Sequence, residues 1–360
     1  MMKEYFNKAF HINGLQIAYE DLSEVAYSLV KEGEAFEREI GDFMLDWISE
    51  SSEIVQKTSG STGVPREISM SKAAMVSSAR ATGEYFGLKE GTKALLCLPA
   101  ANIAGKMMLV RAMVLGWKLD LAAPSGQPLE FLDHEIDFTA MVPLQLYQSL
   151  EKLDRVGTIL VGGAPLSSAL RARIPEKGTA IYESYGMTET ASHIALRKLA
   201  PVPETEDPVK ALPPFQALPG ITLEQDDRGC LVIHAAYLSP EPIVTNDLIV
   251  LEKPDQFRWL GRADHIVNSG GIKLIPEQLE ARLEPLLDAP FFLTGVPDVS
   301  LGEKLVLIME GEAREDLLES LKGTSGLDSY EVPREVYWLP EFTMTKTGKI
   351  NRPETLNTLF

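Results

Sequence analysis

The sequence is poor in the features that mark secreted, membrane-spanning and nucleic-acid-binding proteins. Two cysteines among 360 residues, Cys97 and Cys230, are too few for a disulfide framework and favour a reducing compartment. No apolar run reaches bilayer-spanning length, and the opening residues MMKEYFNKAFHING lack the apolar core of a signal peptide. No basic run offsets the net charge of −18. These absences predict a cytoplasmic protein that binds neither nucleic acid nor membrane.

The rest of the composition, 45% hydrophobic and 24% charged, is that of a globular protein with ample core. Strand-like apolar runs alternate with helical patterns, which predicts an α/β sheet. These runs lie at 94–100, 119–123, 138–142 and 158–161. Short strand-like runs over 221–260 then predict a mostly β portion.

The last hundred residues mix both element types. Pro276 opens a predicted helix with one apolar face, and residues 304–309 form a predicted buried strand. The apolar face consists of Leu279, Leu283, Leu286 and Leu287. We therefore expect an α/β fold with a large N-terminal domain, 1–262, and a small α+β C-terminal domain, 263–360.

One stretch, QKTSGSTGVPREI (56–68), packs hydroxyls around glycines, and its residues 58–63 have no apolar side chain to form core. Glycines let successive N–H groups converge on an anion, and hydroxyls add rotating donors. The pattern predicts a phosphate-binding loop between a strand at 54–55 and a helix over 71–88 that Ser71 caps. It is not the common G-x-x-x-x-G-K-[ST] loop, and by itself an idle surface loop fits equally well.

Three further motifs accompany this loop: YESYGMTETASH (182–193), GRADHIVNSGGIK (261–273) and TKTGKINR (345–352). Together, and in this order, the four resemble the motifs of the adenylate-forming superfamily of acyl-CoA synthetases and adenylation domains. The resemblance runs from about residue 54 to the C-terminus. It implies that a carboxylate attacks the α-phosphate of ATP with Mg²⁺ present, and that coenzyme A then displaces AMP to give a thioester.

The resemblance assigns roles to individual residues. Glu189 would ligate magnesium, Thr188 would contact the adenylate phosphate, and Lys349 would be the catalytic lysine. Asp264 would be the hinge about which a mobile C-terminal domain rotates between the two half-reactions. The remaining nucleotide and coenzyme A contacts would be Thr58, Ser59, Gly60, Ser61, Thr62, Gly63, Arg66, Gly162, Gly163, Ala164, Tyr185, Gly186, Asp247, Arg262, Gly270, Gly271 and Lys273.

Within the superfamily, YGMTETAS and ALPGITLE most resemble the branch that acts on o-succinylbenzoate in menaquinone biosynthesis. An aromatic dicarboxylate needs an apolar slot and a cation or hydrogen-bond donors for its non-reacting carboxylate. The stretch 98–112 matches the pocket-lining region and offers Lys106 as that cation, with Arg111 a second candidate. The substrate contacts implied are Asn102, Ile103, Gly105, Lys106, Ser192 and His193.

Two departures from the pattern stand out. Arg66 replaces the usual lysine, and the section before the phosphate loop is much shorter than in the family. Three alternatives stay open: another aryl- or acyl-CoA ligase, an adenylation enzyme that loads a carrier protein, and an inactive homologue acting as a binding protein. The last would be expected to lose Lys349, Glu189 or Asp247, and all three are present. A homo-oligomer is also compatible with the sequence.

Overall fold

The computed structural model describes residues 2–58, 66–199, 212–324, 326–345 and 349–359, with the backbone alone at 57, 58, 66, 323 and 324. Short 3₁₀ turns aside, the described helices are α1 (Leu22–Glu32), α2 (Ala35–Ile48), α3 (Lys72–Phe86), α4 (Ile103–Leu115), α5 (Pro143–Gln148), α6 (Ser168–Ala172), α7 (Pro276–Leu283), α8 (Leu317–Thr324) and α9 (Arg352–Leu356). None of these helices combines the length and the apolarity that crossing a bilayer requires.

The described strands of the first 262 residues are β1 (His11–Ile12), β2 (Leu15–Gln16), β3 (Glu53–Thr58), β4 (Arg66–Ser71), β5 (Lys93–Leu96), β6 (Lys118–Leu121), β7 (Ile136–Met141), β8 (Val156–Val161), β9 (Ala180–Gly186), β10 (His193–Lys198), β11 (Phe215–Ala217), β12 (Thr222–Gln225), β13 (Cys230–His234), β14 (Ile243–Lys253) and β15 (Gln256–Arg262). Those that follow are β16 (Val267–Ser269), β17 (Ile272–Leu274), β18 (Phe291–Asp298), β19 (Gly302–Glu310) and β20 (Glu335–Leu339).

Thirteen of these strands form one large sheet in the order β12-β13-β14-β15-β11-β10-β9-β8-β7-β5-β6-β1-β2. The pairs from β1 through β6, β5, β7 and β8 to β9 are parallel, with helices between them, as the alternating pattern predicts. From β9 to β12 every pair is antiparallel, which confirms the mostly β portion expected over 221–260. The predicted α/β fold class is confirmed.

A second sheet, β17-β16-β19-β18 with β20 on β19, follows the end of β15 at Arg262. Helix α7 buries Leu279 and Leu283 against it, as expected from the leucine spacing. Leu286 does not share that face: it is 42% exposed, because α7 ends at Leu283 and a 3₁₀ turn over residues 284–286 changes the direction of the side chains. The division into two domains at residue 262 stays a prediction.

The connection after the hydroxyl-rich loop differs from the expectation. Strand β3 does not lead through the loop into a helix. It pairs antiparallel with β4, from Glu53 against Ser71 to Thr58 against Arg66, so the loop closes a hairpin. The alternation in REISMS explains β4, because Met70 is buried while its neighbours on either side are exposed. The N-terminus of α3 therefore lies one strand away from the loop.

Helix α3 begins as predicted. The Ser71 hydroxyl accepts a hydrogen bond from the Ala74 amide at 3.0 Å, which is the contact of a helix N-cap. The next residue, Lys72, is buried, and its ammonium donates to the Ser49 carbonyl at 3.0 Å at the end of α2. A cation at a helix C-terminus is favourable. Lys72 thus fixes α3, which carries one wall of the candidate site, to the helix pair α1–α2.

Candidate active site

The buried carboxylate of Asp247, on β14, lies at the centre of the candidate nucleotide site. The Tyr185 hydroxyl donates to its Oδ2 at 2.5 Å, and the Trp259 indole N–H donates to its Oδ1 at 3.2 Å. Burial, followed by the negative charge of Asp247, raises the pKa of Tyr185, so this hydroxyl stays a donor. Each carboxylate oxygen has further lone pairs, so Asp247 can still accept hydroxyl groups of a ligand.

Arg262 joins this carboxylate to the predicted hinge. Its guanidinium lies 3.9 Å from Asp247 Oδ1 and donates to both carboxylate oxygens of Asp264, at 2.9 Å each. Burial acts to raise the pKa of Asp264, but the hydrogen bond and charge of Arg262 outweigh it and hold that pKa below its usual value. Arg262, one of the predicted nucleotide contacts, is therefore also paired with the predicted hinge aspartate.

The charges of this cluster also act on Lys349, although it is separated from Asp247 by about a hundred residues in sequence. Its side chain is exposed to solvent, although neighbouring protein partly dehydrates it. Partial loss of hydration lowers the pKa of Lys349, the Arg262 charge lowers it further, and Asp247 opposes both. The charges of two predicted nucleotide contacts therefore reach the side chain of the predicted catalytic lysine.

The turn that carries Lys349 is held by its backbone. The Lys349 amide donates to the Thr345 hydroxyl at 3.0 Å, and the Thr345 amide donates to the Lys349 carbonyl at 2.7 Å. Arg352, a few residues on, donates to Glu280 at 2.8 Å and lies over the Phe292 ring. These contacts anchor the turn to α7 and β18 and leave the Lys349 ammonium out of the anchoring.

Close approaches of backbone explain the glycines predicted to line the nucleotide pocket. A Cβ on Gly162 would lie 2.5 Å from the Ser184 hydroxyl, and one on Gly186 would lie 2.4 Å from the Ser192 carbonyl. Gly163 has a φ of +90°. All three lie at the carboxyl ends of β8 and β9, beside Ala164 and Tyr185, where open α/β sheets bind ligands.

Thr188 and Glu189 form a 3₁₀ turn between β9 and β10. Glu189 is exposed and makes no hydrogen bond or ion pair with any described residue. Thr190 fixes the turn, since its hydroxyl accepts from the Met187 amide at 3.0 Å and lies 2.6 Å from the Ser192 carbonyl. The turn presents a free carboxylate, a ligand type that suits a hard cation such as Mg²⁺.

A second polar cluster surrounds Arg111, which is 1% exposed on α4. Its guanidinium donates to Thr82 at 3.3 Å and to Ser192 at 2.7 Å, and lies 3.4 Å from His193 Nδ1. No carboxylate forms an ion pair with Arg111 among the residues that the structure describes. Burial lowers the pKa of Arg111, yet an arginine stays protonated at neutral pH, so the cluster holds a buried positive charge.

Lys106, the first choice for the substrate cation, lies elsewhere on α4. Its ammonium donates to Gln56 Oε1 at 2.6 Å and lies over the Phe43 ring, toward β3 and α2. Burial lowers the pKa of Lys106, with Asp46 and Glu39 opposing. The structure thus brings Ser192 and His193 together with Arg111, the second candidate, and not with Lys106.

The other predicted substrate contacts lie at the start of α4. Asn102 is exposed at the N-cap position without making a side-chain cap, and Ile103 is half-buried. Gly105 packs on the preceding loop, where a Cβ would lie 2.2 Å from the Pro99 carbonyl. The packing of α4 on this loop is enough to require a glycine at position 105, whether or not Gly105 also lines a substrate pocket.

Some predicted ligand contacts lie outside the described residues, and others lie in the C-terminal sheet and its turns. Ser59, Gly60, Ser61, Thr62 and Gly63 fall outside the described part of the chain, and Thr58 and Arg66 are described by their backbone alone. On the C-terminal sheet, Gly270 and Gly271 form the β16–β17 turn with φ of +59° and +83°. Lys273 follows in β17 and is exposed.

One contact joins α6, in the first 262 residues, to the 3₁₀ turn that follows α7. The Glu284 carboxylate accepts from the Ser168 amide with both oxygens, at 3.1 Å each, beside Ser167, the N-cap residue of α6. Motifs did not point to Glu284, nor to Trp259 or Thr82, because each acts through a partner distant in sequence. For Trp259 the sequence offers one signal. A tryptophan can be buried and still donate its indole N–H, and this one lies only twelve residues after Asp247.

Comparison with known proteins places these features in one family. The sequence pattern of the AMP-binding enzyme family matches residues 23–222, more than half of the chain. A solved structure of an acyl-CoA synthetase (AMP-forming)/AMP-acid ligase II-like protein from Dyadobacter fermentans is 38% identical, with a TM-score of 0.60. That match covers 94% of this chain and 98% of the other, so the two have similar lengths.

A curated relative, the 2-succinylbenzoate–CoA ligase of Lactococcus lactis, is 24% identical over 86% of this chain and 72% of its own. The fold matches that of O-succinylbenzoate coenzyme A synthetase from Bacillus subtilis, a structure in complex with ATP and magnesium ion. Its TM-score is 0.71 at 21% identity over 93% of this chain and 82% of that one. The resemblance drawn from the four motifs is confirmed, and the chain belongs to the AMP-binding enzyme family.

Proposed function

We propose that the protein is an ATP-dependent acid–CoA ligase that adenylates a carboxylic acid and passes the acyl group to coenzyme A. The acid that fits best is 2-succinylbenzoate. The observation that carries the proposal is the buried Asp247 carboxylate, held by Tyr185 and Trp259 with Arg262 3.9 Å away, whose charge also acts on Lys349. A ribose-binding carboxylate and a mobile cation at one site are what adenylation requires, because the reaction brings two anions together.

In the first half-reaction, an oxygen of the substrate carboxylate attacks the α-phosphorus of ATP, and pyrophosphate leaves. Asp247 accepts the ribose hydroxyls, while the donors Tyr185 and Trp259 hold its carboxylate in place. The Lys349 ammonium approaches the attacking carboxylate and the α-phosphate oxygens as negative charge develops. The side chains of Glu189 and Thr188 are proposed to contact the magnesium and the phosphate, and the loop over 58–63 the outer phosphates.

In the second half-reaction, the thiol of coenzyme A attacks the acyl carbon and AMP leaves. We propose that the C-terminal domain rotates about Asp264 between the two steps. The Gly270–Gly271 turn and Lys273 would then face the site in place of Lys349. The charges of Arg262 and Asp247 act on Lys349, which supports the adenylation orientation for the arrangement in this structure.

The choice of acid rests on Arg111 together with the names of the relatives. A buried guanidinium without a carboxylate partner is costly, and Arg111 has none within the described part of the chain, which favours an anionic ligand there. Curated relatives from Lactococcus lactis and Mycobacterium tuberculosis, 24% and 27% identical, carry the name 2-succinylbenzoate–CoA ligase, in the second case as probable. A dicarboxylic acid supplies one carboxylate to react and a second to pair with Arg111.

The test mixes the protein with ATP, Mg²⁺, coenzyme A and 2-succinylbenzoate and follows AMP and thioester formation. Thioester that appears only with all four components supports the proposal. Benzoate, phenylacetate and a fatty acid run in parallel, and faster turnover of one of them would keep the chemistry but discard the diacid. Release of AMP with acyl transfer to a carrier protein, and none to coenzyme A, would replace the ligase with a carrier-loading enzyme.

A further inference from the structure

The guanidinium of Arg111 is surrounded by three neutral side chains from two elements. Thr82 lies on α3, while Ser192 and His193 stand at the start of β10. His193 is the buried ring of this group, with Nε2 3.3 Å from the Thr82 hydroxyl and Nδ1 3.4 Å from Arg111 Nη2. Its Nδ1 also lies 3.2 Å from the Ser192 hydroxyl. Both ring nitrogens therefore have partners, and the partners decide where the ring proton lies.

Counting protons at Thr82 fixes the tautomer of His193. A threonine hydroxyl has one proton to donate, and Thr82 directs it to the Ser78 carbonyl at 3.0 Å. The same oxygen accepts from Arg111 Nε at 3.3 Å. With its proton used, Thr82 can only accept from His193, so Nε2 of the ring carries the hydrogen.

The other nitrogen of a neutral ring is then an acceptor. Nδ1 faces Arg111 Nη2 and the Ser192 hydroxyl, and both of these groups can donate to it. A protonated ring would instead direct an N–H at a guanidinium. Complete burial and the adjacent positive charge both lower the pKa of His193 well below its usual value, which agrees with a neutral ring.

These contacts hold the guanidinium plane at two nitrogens. Nε is held by Thr82, and Nη2 by Ser192 and His193. The third nitrogen, Nη1, has no acceptor among the residues described, so its two N–H groups remain for a ligand. Since a guanidinium is rigid and planar, fixing two of its nitrogens fixes the direction of the third.

We propose that His193, as the Nε2–H tautomer, is a positioning residue that aligns Arg111 for the second carboxylate of the substrate. This inference rests on the proposed function, since it names how that site selects a dicarboxylic acid. His193 itself does not touch the acid in this proposal; it acts through Arg111. The neutral His193 then helps the enzyme to select a diacid over the corresponding monoacid, because only the diacid has a second carboxylate for the aligned Arg111 to bind.

Two substitutions separate the roles of the two ring nitrogens of His193. His193→Asn can place an amide oxygen near the Nδ1 position, where it accepts from Arg111. His193→Gln reaches the Nε2 position, where its amide donates to Thr82, but it lacks the acceptor for Arg111. We expect KM for 2-succinylbenzoate to rise about tenfold in the glutamine variant and less than about threefold in the asparagine variant. In both, kcat and KM for ATP should change little.

The monoacid 4-oxo-4-phenylbutanoate, which is 2-succinylbenzoate without its ring carboxylate, is the internal control. Its KM should be the same in the parent and both variants, because Arg111 has nothing to bind. Equal rises in KM for both variants, or a rise that the monoacid shares, would reduce His193 to a structural residue and overturn the proposal. Thermal unfolding of each variant shows whether it has folded.

A substrate-independent measurement distinguishes this proposal from the function it rests on. ¹⁵N NMR of the histidine-labelled protein, with His193→Gln to assign the signal, should show Nε2 protonated and Nδ1 unprotonated at neutral pH. Protonation at Nδ1 would overturn the tautomer and with it the positioning role. If the tautomer is as expected but 2-succinylbenzoate gives no thioester, the proposed substrate fails while the internal geometry of the Arg111 cluster stands.

Discussion

The Tyr185 hydroxyl lies 2.5 Å from Asp247 Oδ2, although three strands separate β9 from β14 in the large sheet. Neighbouring strands lie about 4.8 Å apart, so a flat sheet would hold these two strands roughly 19 Å from one another, beyond the reach of the two side chains. The antiparallel half of the sheet must therefore curl back toward the parallel half. The curl creates the cleft in which the nucleotide motifs meet.

Removal of that hydroxyl should weaken nucleotide binding. In Tyr185→Phe, Asp247 loses a charge-assisted donor that fixes its carboxylate, and such a bond contributes about 1.5–3 kcal/mol. We expect KM for ATP to rise about tenfold, with a smaller effect on KM for the acid. Steady-state kinetics with each substrate varied in turn measures both values.

The control for this substitution is Tyr182→Phe on the same strand. Its hydroxyl makes no hydrogen bond with a described residue, and its ring packs against Tyr85 and Phe86. Its kinetics should match those of the parent. An equal loss of ATP affinity in both variants would mean that the strand as a whole, and not the Tyr185–Asp247 contact, is responsible.

Lys349→Ala should abolish adenylation and leave the fold intact. The turn is held by backbone contacts with Thr345 and by Arg352, so the lost side chain supports no described structure. We expect pyrophosphate release to fall at least about a hundredfold, as when one group that stabilises transition-state charge is removed. ATP binding by calorimetry and the melting temperature should change little. The exposed Lys322, replaced by alanine, is the matched control, and parental pyrophosphate release by Lys349→Ala would disprove the assignment.

The alkaline limit of activity should follow the charges around Lys349. Lys349 must be protonated to act. Partial burial and then the charge of Arg262 lower its pKa, while the charge of Asp247 opposes them. As pH rises, activity should therefore be lost at a pH below the usual pKa of a lysine. Arg262→Gln removes the positive charge that lowers the pKa of Lys349, so that pKa should rise.

The measurement is the pH dependence of kcat for adenylation in the parent and in Arg262→Gln. The midpoint of the alkaline limb should move to higher pH in the variant, even though binding of ATP weakens. Arg314→Gln, an exposed change on the C-terminal side of the chain, should leave the midpoint in place. A shift of the midpoint to lower pH in Arg262→Gln would contradict the electrostatic relationship.

Glu284 should favour the orientation in which Lys349 is in the site. Its carboxylate accepts from the Ser168 amide with both oxygens, and this contact would be lost if the C-terminal domain rotated. Loss of a hydrogen bond of about 1 kcal/mol shifts a two-state equilibrium about fivefold. In Glu284→Ala we therefore expect slower adenylation and unchanged or faster thioester formation from preformed acyl-adenylate.

Rapid-mixing assays of the two half-reactions test this. Glu315, exposed on the same part of the chain, provides the control substitution by alanine. Equal losses in both half-reactions would indicate a general destabilisation, and a selective loss of thioester formation would reverse the assignment of the orientation.

The sequence predicted those parts of the fold that depend on interactions between residues close in the chain. The Ser71 cap, the start of α7 at Pro276 and the alternating strands and helices all depend on residues close in sequence. Strand β4 was missed because a short alternating run between a polar loop and a helix is ambiguous without its partner β3. Leu286 was misplaced because helix ends are set by capping and turns as well as by periodicity.

The site divides in the same way. Motifs identified Asp247, Arg262 and Lys349, but they could not show that Arg262 also pairs with Asp264. Nor could spacing on α4 decide between the two basic residues. Lys106 and Arg111 lie on one helix, and their different surroundings depend on β3, α3 and β10. Such choices depend on tertiary contacts, which a single sequence does not contain.

The buried state of His193 should appear in the pH dependence of stability. Of the groups that face it, Arg111 is charged, while Thr82 and Ser192 are neutral. The folded-state pKa of His193 is well below its unfolded value of about 6.5, so the unfolded chain binds the extra proton first as pH falls. The free energy of unfolding should therefore decrease below about pH 6.5, by up to about 1.4 kcal/mol per pH unit from this group. Urea unfolding of the parent and of His193→Gln at pH 7.5, 6.5 and 5.5 measures the difference.

The glutamine variant lacks the titrating ring, so its stability should fall less between pH 6.5 and 5.5 than that of the parent. His134→Gln provides a control of opposite sign. The hydrogen bond to Asp133 raises the pKa of the exposed His134, so its small contribution is present at low pH and lost as pH rises. Parallel pH profiles for the parent and His193→Gln would mean that His193 takes up a proton at the same pH in the folded protein as in the unfolded chain, which would contradict the lowered pKa expected of a buried ring beside Arg111.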